Sequence, residues 1–154
     1  MTKKVIKQDM RNEQIKHLEF IQDVVTRMNS SSFQIKGWCI TILSALCAIY
    51  ATNKNISFIG IALLPTILFW GMDAYYLQQE RKFRGLYRDV SKGDSDIRLF
   101  SMSVNKYVGG EYSFWASFKS RTILGLYGTL TILLIIAVAI LCKGEFPTSI
   151  CNYK

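Results

Sequence analysis

One carboxylate interrupts the apolar part of this sequence. Asp73 closes the run 56–72 and is followed by Tyr75, Tyr76 and Leu77. A carboxylate at the edge of lipid either pairs with a cation or keeps water within reach. Arg27, Lys36 and Arg81 are the cations that could meet it. A second pattern follows within a few residues: Arg81, Lys82, Arg84 and Arg88 interleave with Phe83 and Tyr87. Basic and aromatic side chains in alternation suit the phosphates and bases of a single-stranded nucleic acid. They equally suit anionic headgroups beside a membrane, and composition by itself favours lipid.

The rest of the chain is poor in chemistry. His17 is the one histidine and reads as a solvated or interhelical polar residue. No serine–histidine–acid set, Walker loop, dinucleotide fingerprint or zinc spacing is present. Asp94 and Asp96 lack the continuation of a calcium loop. The chain therefore does not read as an enzyme, and no cofactor and no metal is expected. The four cysteines fall in two places. Cys39 and Cys47 lie in an apolar run, where a thiol is a small packing group. Cys142 and Cys151 bracket KGEFPTSI and either close a small disulfide loop or stay two free thiols.

Three apolar runs must position these residues. The run 37–52, extended by 33–36, and the run 56–72, continued to Leu77, each approach the ~20 residues a helix needs to cross a bilayer. Only Asn53, Lys54 and Asn55 separate them, so 33–77 reads as a transmembrane hairpin. The run 122–142 carries no charge and reads as a third span. The first run starts too late for a signal peptide and lacks a small-residue cleavage site. In the first span Thr41, Ser44, Ala48 and Thr52 share one side. Such a stripe, grouped with Asp73, either packs helices closely or lines a pore, packing being the commoner use. Pro65 should kink the second span. Gly125 and Thr129 make a helix-contact patch in the third.

Charge sets the expected orientation. Sixteen of the nineteen basic residues precede the first span or lie between the second and third; Lys54, Lys143 and Lys154 are the others. The positive-inside rule then puts the N-terminus and 78–121 in the cytoplasm, and the 53–55 turn and the tail 143–154 outside. Within 1–32, Ile15, Leu18, Ile21, Val25 and Met28 recur at intervals of three and four among charged and amide residues. This predicts an amphipathic helix with a narrow, coiled-coil-like seam. The expected partner of this seam is copies of itself, which makes 1–32 an oligomerisation helix; the alternative is packing on this chain's own stalk, and Asn29, Ser30, Ser31 and Ser32 should end the helix. Beyond the second span the helix should continue as a stalk to Gly93. The loop 91–110 contains IRLFSMSV, a short strand or irregular segment. Residues 111–119 (EYSFWASFK) predict a short interfacial helix leading into the third span. The fold class is thus all-α membrane protein: three transmembrane helices (hairpin plus one), a cytoplasmic amphipathic helix, and a cytoplasmic stalk and loop.

The segments RMNSSSFQIKGW and MDAYYLQQERKFRGLY resemble those of small bacterial membrane effectors of the Hailong type, encoded beside nucleotidyltransferases in phage-defence loci. The likeness covers about 27–90. It implies a homo-oligomeric, channel-like effector in the bacterial inner membrane, a tetramer being one candidate assembly. It also implies that single-stranded DNA oligomers made by the partner nucleotidyltransferase hold the complex shut, and that losing them lets it disrupt the membrane. That tilts Arg81, Lys82, Arg84 and Arg88 from lipid towards nucleic acid. The rival reading is a non-conducting anchor that recruits a cytoplasmic partner through the basic stalk.

Overall fold

The computed structural model describes residues 2–92 and 97–144, with side chains from 8 to 142 outside that gap. Cys151, Asp94 and Asp96 lie outside the described residues, and so does the predicted Cys142–Cys151 loop. Three helices are long and apolar enough to cross a membrane: Gln8–Asn53, Ser57–Lys92 and Arg121–Cys142. Among the described residues there is no strand. The all-helical reading with three helices of spanning length therefore stands, while the segment IRLFSMSV is irregular.

Helix α1 runs unbroken over Thr2–Asn53. Its 52 residues are well over twice the ~20 that a helix needs to cross a bilayer. The expected break at Asn29–Ser32 does not occur. Serine in a helix interior costs only about half a kcal/mol relative to alanine, and its capping preference matters only where a helix must begin. Buried apolar residues on both sides, Ile21 and Val25 before and Ile35, Cys39 and Leu43 after, outweigh that cost.

The turn after α1 is built from the three polar residues. Lys54 takes a left-handed backbone, φ 54°, and its N–H reaches the Tyr50 carbonyl at 2.8 Å, closing the helix. Asn55 then accepts from the Ser57 N–H at 2.9 Å and starts the next helix. That helix, α2 (Ser57–Ile61), is separated from α3 (Leu63–Lys92) by Ala62. The interruption falls one turn before Pro65, because the proline ring opposes the Ile61 carbonyl and offers it no N–H. Helix α3 continues to Lys92, as the stalk pattern predicted.

A 3₁₀ turn (Gly110–Tyr112) and α4 (Phe114–Phe118) occupy the predicted interfacial helix. The third span begins as α5 (Arg121–Ile123), widens into a π-helical turn (Leu124–Gly128) and ends as α6 (Thr129–Gly144). The π turn loosens the carbonyl ladder, and two hydroxyls reinforce it: Thr129 donates to the Gly125 carbonyl at 2.6 Å, Thr131 to that of Tyr127 at 2.7 Å.

The chain divides into two compact units, Met1–Gln34 with Ala74–Ser117, and Ile35–Asp73 with Phe118–Lys154. The core of the first is Ile21, Val25, Leu86, Val90 and Tyr107, edged by Leu18, Phe83, Ile97, Met102, Val104 and Tyr112. Gly85 lets α3 approach the loop. A Cβ there would meet the Tyr107 ring at 2.8 Å and the Tyr112 hydroxyl at 2.9 Å. Polar bonds fix α1 to the end of α3 and to the loop. Gln14 donates to the Val90 carbonyl at 2.8 Å, and His17 Nε2 to that of Ser101 at 3.0 Å. Gln78 donates to the Tyr112 carbonyl at 2.9 Å. In the second unit Ile59, Ala62, Ile123 and Leu134 are buried and α2 packs on α6.

Candidate functional site

The second unit contains a charged pair that is costly to place there. Lys36 on α1 and Asp73 on α3 pair at 2.6 Å between Nζ and Oδ2. The Asp73 side chain is fully buried, whereas that of Lys36 keeps 23% of its surface. Of the three cations the sequence offered, the structure selects Lys36. The asymmetry follows from the side chains. Lysine's long stem lets its ammonium reach towards water, and the short aspartate has no such route. A buried charge this close to an apolar helix must be paired, and the pair is a functional candidate for that reason.

Tyr127 completes the site. It is wholly buried. It lies within electrostatic reach of Asp73 and the Cys39 thiol. The π turn positions it: one extra residue per turn shifts the facing of the side chains that follow. Trp70 flanks the phenol ring at 6.2 Å between centroids, stacks on Phe118 at 4.5 Å, and donates its indole N–H to the Phe118 carbonyl at 3.1 Å. Thr66, also fully buried, returns its hydroxyl to the Ala62 carbonyl at 2.8 Å. Sequence reasoning missed Tyr127. The available signal was a single phenol in a run of aliphatic residues, whose hydroxyl must find a partner or stay unsatisfied.

The other expected sites fare differently. Thr41, Ser44, Ala48 and Thr52 lie on exposed surface of α1. Thr41 and Thr52 turn their hydroxyls back on the helix, to the Gly37 carbonyl at 3.0 Å and the Ile49 carbonyl at 2.9 Å. Asp73 does not join that stripe; it is buried with Lys36. The seam Ile15, Leu18, Ile21, Val25, Met28 is only partly available to another chain. Ile21 and Val25 are buried in the first unit's own core, Leu18 and Met28 are half-buried, and Ile15 is 47% exposed. The chain's own stalk supplies Leu86 and Val90 to that seam, so its central residues pack within the chain.

The basic stalk is largely engaged. Arg84 pairs with Glu80 at 2.7 Å and Arg88 with Glu111 at 4.0 Å. Arg81 donates to the Glu111 carbonyl at 3.1 Å, and Lys82 is half-buried. Beside them Asp89 accepts from the Tyr107 hydroxyl at 2.7 Å and pairs with Lys106 at 3.0 Å. Those two bonds hold the Asp89 carboxyl below the usual carboxylate range, the tyrosine contributing most. Burial, then the bond to Asp89, pushes Tyr107 up to about 12. No grouping of three or more histidine, cysteine or acidic side chains suited to a metal occurs among the described residues. Cys142 is exposed.

No protein-family model, no curated protein and no solved structure matches this chain.

Proposed function

We propose that this chain is a subunit of a homo-oligomeric, channel-like membrane effector of antiphage defence. The observation that carries the reading is the set of three spanning-length apolar helices, one of which leaves Thr41, Ser44, Ala48 and Thr52 uncovered. A single chain with three spans cannot enclose an aqueous path, so conduction needs several copies. The uncovered small-residue face is where a neighbouring helix packs closely. Lys36 and Asp73 tie α1 to α3 in the resting subunit.

The N-terminus and the stalk lie in the cytoplasm of a bacterial inner membrane, with the C-terminal tail outside, on the strength of the basic-residue distribution. The resemblance over 27–90 supports a cytoplasmic ligand, a single-stranded DNA oligomer from a partner nucleotidyltransferase, that keeps the assembly closed. Arg81, Lys82, Arg84 and Arg88 form its docking strip. Arg84 and Arg88 exchange their carboxylate partners Glu80 and Glu111 for phosphates on binding.

Expression in cells loaded with a membrane-potential dye tests this. Depolarisation is expected when the chain is expressed alone, and protection when the partner enzyme is co-expressed. A chain that inserts and leaves the potential unchanged in both cases is an anchor or adaptor instead.

A further inference from the structure

The first unit displays a strained aromatic residue that its own fold does not cover. Phe100 has φ 62°, the left-handed region that L side chains rarely adopt. Bulky residues are held there only when the surroundings impose it, and such strain gathers at functional positions. The distortion places the Phe100 ring 6.1 Å from Phe20 and 5.9 Å from His17. Yet Phe100 remains 46% exposed and Phe20 54% exposed. Burial within the chain therefore does not account for the conformation.

The two rings border a groove of about 660 Å³, completed by Val24, Met102, Asp23 and Arg27. Asp23 and Arg27 stand one turn apart on α1, acid before base, the arrangement that pairs most readily along a helix. They do not pair with each other, and neither forms an ion pair or hydrogen bond among the described residues. The groove thus offers an apolar floor with one charge of each sign that no described residue pairs.

We propose that this groove is a self-association surface, occupied by the same face of a second copy of this chain. The reason is charge complementarity. A surface with both signs in adjacent positions is its own complement: Asp23 of one copy meets Arg27 of the next and the reverse, while the Phe20 and Phe100 rings bury each other. The proposal rests on the homo-oligomeric part of the function above. It moves the contact away from the seam of Ile21 and Val25, which the chain's own stalk occupies.

Full-length protein, labelled for energy transfer and diluted in liposomes, tests this. D23R and R27D chains are each expected to assemble about tenfold less well alone, the effect of a charge contact worth ~1.4 kcal/mol. Mixed in equal amounts, the two should assemble with each other as well as the wild type. F100G should weaken assembly by at least as much while the unassembled chain keeps or raises its unfolding midpoint, because glycine accepts that φ without strain. A mixture no better than either chain alone overturns the proposal, as does wild-type assembly in all three variants. Restored assembly without any change in membrane potential would sink the effector reading and leave this surface standing.

Discussion

Removing Lys36 should damage the protein far more than removing the charge it pairs with. Lys36→Met keeps most of the side-chain volume but removes the cation beside the Asp73 carboxylate, which has no exposed surface. Breaking a buried pair from the exposed side in this way costs about 3–5 kcal/mol. Asp73→Asn removes the negative charge beside the ammonium instead, but 23% of the Lys36 side chain is already open. That group can reach water or headgroups, so the loss falls to about 1 kcal/mol, an ordinary hydrogen-bond difference. Replacing both, Lys36→Met with Asp73→Leu, should restore stability to within about 1 kcal/mol of the wild type, or exceed it. The double-mutant cycle then yields a coupling of several kcal/mol. Reversible unfolding of the reconstituted protein in bicelles, followed by steric trapping, measures all four chains. The reasoning fails if Asp73→Asn is as costly as Lys36→Met, or if the two effects add.

Two further outcomes follow from the first unit. Gly85→Ala drives a methyl into Tyr107 and Tyr112 at under 3 Å, and should cost about 1–3 kcal/mol of stability by overpacking, seen as a lower midpoint in thermal unfolding. The Asp89–Tyr107 bond predicts pH dependence at both ends. Asp89 titrates lower when folded than its ordinary 3.8, so its contribution is present above that value and lost as pH falls through the folded one. Tyr107 titrates higher when folded, so its contribution is complete below its ordinary 10.0 and lost as pH rises towards about 12. Tyr107→Phe should lower stability at neutral pH by about 1–2 kcal/mol and flatten the alkaline limb of the stability–pH curve; an unchanged limb would show that another group sets it.

The sequence by itself determined the elements that depend on local pattern. The uncharged run 122–142 has no way to satisfy its apolar surface except in lipid or against other apolar helices, whatever its neighbours are. The 53–55 turn was legible because two spanning-length runs cannot meet across three polar residues without reversing. Pro65 interrupted its helix where a missing N–H requires, one turn upstream. The stalk was legible from its apolar spacing alone.

Tertiary structure decided the choices among partners. Nothing in the spacing of Ile21 and Val25 distinguishes another copy's helix from this chain's own Leu86 and Val90, because an apolar stripe is satisfied by any apolar surface. The same holds for charge. Arg27, Lys36 and Arg81 were equal candidates for Asp73, and only placing α1 beside α3 gave the pair to Lys36. Continuous helix through Asn29–Ser32 was likewise a matter of packing on either side, which an interior-serine cost of about half a kcal/mol per residue could not oppose. The π turn that buries Tyr127 is the least legible of all. It shifts side chains by one position within a run whose local pattern fits an ordinary α-helix, and only the packing around Trp70 and Asp73 decides which way the phenol faces.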